Sequence, residues 1–191
     1  MSKLRTPQPE LAAALSDLCL RSKAVWGYDA AFLEACRPAL TLTAEDWKDS
    51  DLQIAVDGER ILGLAQVRSD GQIAELDKLF IDPDARATGI GRSLFAWCVK
   101  AALNRGATVM TIDADPGAAD FYRRMGAVDD GVIASTVIPG RFLTEAGTKI
   151  TIRRSPLRAR RRSLDGSSSA PGNLRRTFLT ERRMGNSLQA R

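Results

Sequence analysis

The 191-residue sequence predicts a mixed α/β (α+β) fold, a sheet with antiparallel and parallel strands flanked by helices. Three observations carry that expectation. Two apolar runs, residues 52–56 and 61–67, flank Asp57-Gly58, a strong hairpin signal. A long apolar-rich run over residues 73–81 leads through a glycine-containing loop into a helix pattern. A short strand at 107–112 then leads into a second helix pattern, so strands and helices alternate in this half of the chain.

The elements follow in order. Leu11, Leu15, Leu18 and Cys19 are spaced for the apolar face of a first helix. A second helix is expected over residues 29–37, stopping before Pro38, with Phe32, Leu33 and Cys36 inward. Trp26-Gly27-Tyr28 lies on the loop between them, and a further helical turn starts near Thr43. After the hairpin, the run 73–81 is bounded by Asp70-Gly71 and Pro83. Residues 93–104 form a helix with Leu94, Phe95, Cys98, Ala101 and Ala102 inward, stopped by Gly106. Residues 116–125 form another, with Ala118, Phe121, Tyr122 and Met125 at i, i+3, i+4 and i+7. Strands at 132–138 and 149–152 close the sheet.

Charge divides the chain. The net charge is +5, but residues 153–191 hold eleven Arg against Asp165 and Glu181, a net +9. Residues 1–152 carry the other 17 basic residues against 21 acidic ones, −4. The expected organisation is a domain over 1–152 and an Arg-rich tail over 153–191, too poor in apolar groups to offset its ordering entropy. The basicity of the whole chain is therefore no argument that the domain binds nucleic acid. No apolar run approaches the roughly 18 residues needed to span a bilayer, and residues 1–9 carry no apolar signal core, so the expectation is a cytoplasmic protein without a membrane partner. Cys19, Cys36 and Cys98 fit reduced thiols and lack metal spacing. With no histidine in the chain, neither a structural zinc site nor a histidine general base is expected.

The loop Arg86-Ala87-Thr88-Gly89-Ile90-Gly91 joins a strand to a helix expected to begin near Arg92. Glycines let a backbone approach a phosphate closely. Unpaired N–H groups and the helix dipole favour an anion there, and Arg86 and Arg92 add cationic partners. No Gly-Lys-Ser/Thr follows, so the loop is not a Walker loop, and no acidic ribose partner stands at the Rossmann distance.

Residues 74–83, with Glu75, Asp77 and Leu79-Phe80-Ile81, then Arg86-x-x-Gly89-x-Gly91, then Asp115-Pro116-x-Ala118-x-x-Phe121-Tyr122-Arg123-Arg124-Met125-Gly126-Ala127, resemble the GNAT superfamily of acyl-CoA-dependent N-acyltransferases in order and spacing. Ser22-Lys23-x-x-Trp26-Gly27-Tyr28 and Ile138-Pro139-Gly140-Arg141 resemble a bacterial subgroup of it. The resemblance implies a splayed sheet. It places the pantetheine arm of acetyl-CoA in the splay against the backbone of Leu79, Phe80 and Ile81, and the pyrophosphate on the amides of Arg86, Ala87, Thr88, Gly89, Ile90, Gly91 and Arg92. The superfamily often has Asn where Gly117 stands, so this chain departs from it there.

The implied reaction is direct attack of an amine on a thioester. A primary amine with a pKa of about 10 must first lose a proton. Glu75 and Asp77 share a strand face. A glutamate placed as Glu75 is, four residues before Leu79, is the amine-activating residue in the resembling family; Asp77 is the second candidate. Both are equally readable as a solvated strand edge or a structural ion pair. Tyr122 matches the family's proton donor to the leaving thiolate, and is equally placed to be core. Trp26, Tyr28 and Arg141 are candidates for an acceptor pocket, since aromatics on a loop can hold an ammonium, or simply pack.

The implied partners are acetyl-CoA and an amine acceptor, with no metal, a homodimer left open, and nucleic acid only through the tail. Two alternatives stand beside the acetyltransferase: a non-catalytic acyl-CoA sensor, and a binder of nucleic acid or an acidic partner working through the Arg-rich segment.

Overall fold

The structure, a computed structural model, describes residues 2–133 and 147–153. Tail residues 154–191, strand residues 134–138 and Arg141 lie outside the described residues.

Seven strands form one sheet in the order β1-β2-β3-β4-β5-β7-β6, where β1 is Lys3–Arg5, β2 Asp51–Asp57, β3 Arg60–Asp70, β4 Ile73–Ile81, β5 Val109–Ala114, β6 Val128–Ile133 and β7 Gly147–Arg153. Neighbours pair antiparallel except β4 and β5, which are parallel and joined through a helix. This is the mixed sheet flanked by helices that the sequence predicts. The hairpin between β2 and β3 forms at Asp57–Arg60, and β4 has the bounds read from the sequence.

Helices cover both faces. On one, α1 (Ala12–Ala24) and α2 (Ala30–Leu40) bury Leu15, Leu18, Cys19, Phe32 and Cys36 against Ile54, Val56 and Leu64. A single turn, α3 (Asp46–Asp49), adjoins β2. On the other, α4 (Ile90–Asn104) and α5 (Pro116–Arg124) bury Leu94, Phe95, Cys98 and Tyr122 against Ala65, Val67, Leu76 and Ile112. Each fully buried Leu or Phe contributes about 2 kcal/mol, so the two clusters fix which face every strand residue presents.

Several boundaries differ from the sequence reading; β5, expected over residues 107–112, runs Val109–Ala114. Residues 3–5, read as polar N-terminus, form β1 on the sheet edge, where pairing with Ile54, Ala55 and Val56 needs no apolar signal. α2 runs through Pro38 to Leu40 instead of stopping before the proline. Only the last residues follow Pro38; Leu40 is buried, and the Thr41 hydroxyl donates to the Arg37 carbonyl at 2.8 Å. α4 starts at Ile90, not near Arg92, because Gly89 ends the loop in a left-handed conformation. β6 starts at Val128, four residues before the expected 132, because Gly126 and Ala127 complete the turn that ends α5.

A buried carboxylate ties α3 to the sheet. Asp46 accepts hydrogen bonds from the Thr43 N–H (2.7 Å), the Gln66 side-chain amide (2.7 Å) and Arg68 Nη2 (2.6 Å). Burial alone would raise its pKa. The Thr43 N–H, the Gln66 amide and the charges of Lys78 and Arg68 outweigh burial and hold the carboxyl below its ordinary value. A depressed carboxylate contributes stability above its unfolded pKa and loses it as pH falls through the native value. Asp46→Asn is expected to lower unfolding free energy at pH 7 by about 2 kcal/mol. The gap from wild type should narrow below about pH 4. Denaturant titrations between pH 7 and pH 2 measure it, and a constant gap would show that the charge is not what matters.

Candidate active site

The pairing between β4 and β5 is short. Ile73, Ala74, Glu75 and Leu76 pair with Val109, Met110, Thr111 and Ile112, and there it stops. Past Leu76, among the described residues, β4 pairs only with β3 and β5 only with β7, so the two strands part. An extra residue marks the place. Gln66 faces Lys78 while Val67 faces Leu76, which makes Asp77 a bulge in β4.

A cavity of about 860 Å³ occupies the gap. Its walls are Leu76, Asp77, Leu79, Phe80 and Ile81 from β4, and Ile112, Asp113 and Ala114 from β5. From α5 come Gly117, Ala118, Phe121 and Tyr122; the end of α1 adds Ser22, and the turn after it adds Val25 and Trp26. One end meets the glycine loop at Arg86, Ala87, Gly89, Gly91 and Arg92.

That loop is held in shape from below. Asp82 accepts the Asp84 N–H at 3.1 Å and is gripped by Arg21 at 3.3 Å and Arg60 at 3.0 Å. Burial disfavours the Asp82 charge, but the Asp84 N–H and the two arginines outweigh it and keep the carboxyl below the usual range. The Thr88 hydroxyl donates to the Ala85 carbonyl at 2.6 Å. Ala87 and Gly89 both have positive φ, 60° and 89°. For Ala87 this costs roughly 1 kcal/mol. Left-handed residues in such a turn make neighbouring N–H groups converge into an anion-binding concavity. The first α4 hydrogen bond runs from the Ser93 N–H to the Gly89 carbonyl, so the N–H groups of Ile90, Gly91 and Arg92 have no acceptor within the helix. A long ligand with an anionic end fits this loop and cavity.

Along the gap, the open edge of β4 offers backbone donors. The Asp82 N–H donates to the Leu62 carbonyl of β3, whereas the Ile81 N–H donates away from β3, to Ser22 Oγ at 3.3 Å. Donors alternate along a strand, so the Leu79 N–H turns to the same side as that of Ile81.

The candidate residues are distributed unevenly. Asp77 lines the cavity, with Lys78 Nζ at 3.0 Å and Arg68 Nε at 3.4 Å. Glu75 is exposed two residues earlier and is not on the cavity wall. Tyr122 is buried on the wall beside Phe95 and Phe121. Burial first, then the nearby Cys98 and Asp115, push its phenol well above the ordinary value. Ile90 is buried in the core, and Thr88 braces the loop.

The aromatics expected at an acceptor pocket have other neighbours. The Tyr28 hydroxyl donates to Asp115 Oδ1 at 3.1 Å, and Lys23 Nζ lies 2.9 and 3.0 Å from the two Asp115 oxygens. Trp26 lies beside Arg86 and Gly117. Ser22, Lys23, Asp113 and Asp115 carry no role in the sequence reading, although three of them stand inside the segments quoted for the resemblance. Asp115 begins α5 yet makes no side-chain cap, because its carboxylate is turned to Lys23 and Tyr28.

A family model described as Acetyltransferase (GNAT) domain matches residues 15–133, which include β4, the loop, α4, β5 and α5. The chain belongs to the GNAT acetyltransferase family. It is 32% identical over 65 residues to an uncharacterised N-acetyltransferase of Methanocaldococcus jannaschii, a match spanning 32% of this chain and 29% of that one. The GCN5-related N-acetyltransferase of Rhodopseudomonas palustris aligns over 80% of this chain and 96% of its own, at a TM-score of 0.64 and 26% identity. The fold is also that of the PaiA N-acetyltransferase of Thermoplasma acidophilum, solved in complex with coenzyme A, at a TM-score of 0.64 and 13% identity over 80% of this chain and 99% of that one. Among the described residues of this GNAT chain no helix is long and apolar enough to cross a membrane.

The sequence has two tyrosines. Folding holds the Tyr122 proton, so the native state should lose stability as pH rises above about 10, where the unfolded phenol ionises. An absorbance titration is expected to show a late step, coincident with alkaline unfolding and absent in Tyr122→Phe. A late step that survives in Tyr122→Phe would place the protected phenol elsewhere.

Proposed function

We propose that the protein transfers an acetyl group from acetyl-CoA to a primary amine of a small molecule or peptide. The observation that carries this is the parting of β4 from β5 beside a loop of convergent amides. The gap offers an extended channel, lined in part by Leu79, Phe80, Ile81 and Phe121, with backbone donors along one wall, and the loop offers an anion site at its end. These suit the pantetheine arm and the pyrophosphate respectively. The coenzyme A complexes among proteins of the same fold support the reading.

The amine nitrogen attacks the thioester carbon and forms the new C–N bond. The carbonyl oxygen takes negative charge, and the Leu79 N–H is turned toward the side where it would develop. The C–S bond then breaks. The departing thiolate, whose conjugate acid has a pKa of about 8.5, accepts a proton from Tyr122. A phenol stays protonated at neutral pH, as a donor must; burial makes this one a weaker acid, and solvent returns the proton it gives up. The amine's own proton passes to a carboxylate. Glu75 is the residue the resemblance implies, and a water in the cavity would connect it to the amine. Asp77 is the alternative favoured by its place on the wall, although Lys78 and Arg68 already engage it. Tyr28 braces Asp115 and borders the acceptor in this reading; Arg141 is a candidate for the acceptor on the resemblance alone. We assign the reaction to residues 1–152, treat 153–191 as a separate Arg-rich tail, and place the protein in the cytoplasm.

A free-thiol assay with acetyl-CoA over a panel of amines should identify at least one substrate. Coenzyme A binding without thiol release from any amine would favour a sensor. With a substrate in hand, removal of the true base should lower turnover about 10²–10⁴-fold and leave coenzyme A affinity unchanged. Glu75→Gln and Asp77→Asn measured side by side decide between the two carboxylates. If both retain full turnover, neither is the base.

A further inference from the structure

The connection between α1 and α2 carries Trp26 to the cavity, where the indole is packed on two sides. The Arg86 guanidinium carbon lies 5.1 Å from the ring centroid. The other contact is Gly117, in the first turn of α5. A Cβ built on Gly117 would lie 2.5 Å from Trp26 Cε3 and closer still to Cζ3. Gly117 is not among the glycines with positive φ. A side chain there would force the indole to shift; the indole takes the space that Gly117 leaves.

Arg86 has no carboxylate partner among the described residues. Its charge is held against an aromatic ring instead. The difference matters chemically. A carboxylate would neutralise the guanidinium and occupy its N–H fork. A ring covers only the face, so the charge and the edge donors remain available to phosphate oxygens. The ring also restrains a long side chain whose ordering would otherwise be lost from the binding free energy.

We infer that Trp26 is a positioning residue for the cofactor: seated on Gly117, it holds Arg86 over the glycine loop, ready for the diphosphate of acyl-CoA. Trp26 thereby serves the anionic end of the donor, not the acceptor amine. The inference rests on the acyl-CoA reading of the cavity and names a residue outside the loop that sets donor affinity.

The test is calorimetric titration of coenzyme A into the full chain and its variants. Trp26 is 39% exposed, so Trp26→Ala should fold. It is expected to weaken coenzyme A binding about tenfold, with Trp26→Phe restoring most of the loss. Arg86→Ala should weaken binding at least as much, and the double variant no further than Arg86→Ala alone. Gly117→Ala should displace the indole and reproduce the Trp26→Ala loss. Unchanged affinity in Trp26→Ala, equal loss in Trp26→Phe, or losses that add in the double variant would overturn the inference. If the unaltered protein fails to bind coenzyme A, the acyl-CoA reading itself falls, a result distinct from binding that ignores Trp26.

Discussion

The parallel pairing of β4 with β5 lasts for only four residue pairs, and the site depends on that limit. β4 has nine residues; its last five lie along β3 on one side and, among the described residues, have no strand on the other. Backbone donors on an open edge must find partners or meet water. The bulge at Asp77 sits where the pairing ends. It separates a half of β4 that belongs to the core from a half that belongs to the cavity. A longer pairing would close the gap and leave an ordinary mixed sheet.

The end of α1 and the turn after it manage the gap. Arg21 reaches Asp82 below the loop, Ser22 takes the Ile81 N–H, Lys23 binds Asp115 at the start of α5, and Trp26 lies between Arg86 and Gly117. Four side chains within six residues thus touch both walls of the cavity and the loop at its end. Lys23 has 12% of its side chain exposed and lies 5.1 Å from the Tyr28 ring centroid. A partly buried charge pair of this kind costs most when one partner alone is removed. The segment therefore joins elements that the open sheet leaves apart.

Much of this was legible in the sequence, for identifiable reasons. β4, the hairpin before it and the alternation that follows are local patterns, and local patterns survive folding. The loop was legible because Gly89 and Gly91 punctuate a strand–helix junction. The bulge was not, because one extra residue leaves no mark on composition. Glu75 and Asp77 share a face by simple alternation, yet only Asp77 reaches the cavity wall. Tyr122 was read as both core and site, and it is both buried and on the wall. Gly117 reads as a missing side chain; it is a seat for Trp26, far earlier in the chain. Contacts of that range, like the turning of Asp115 away from its own helix toward Lys23, are written in no window of the sequence.

The central claim is that the open edge of β4 and the start of α4 together receive acetyl-CoA. Amide hydrogen exchange with and without coenzyme A tests it most directly. The account predicts slower exchange at Leu79, at Gly91 and Arg92, and at the neighbouring loop amides, with β2 and β3 unchanged. Saturating coenzyme A that leaves those amides exchanging as before would contradict it.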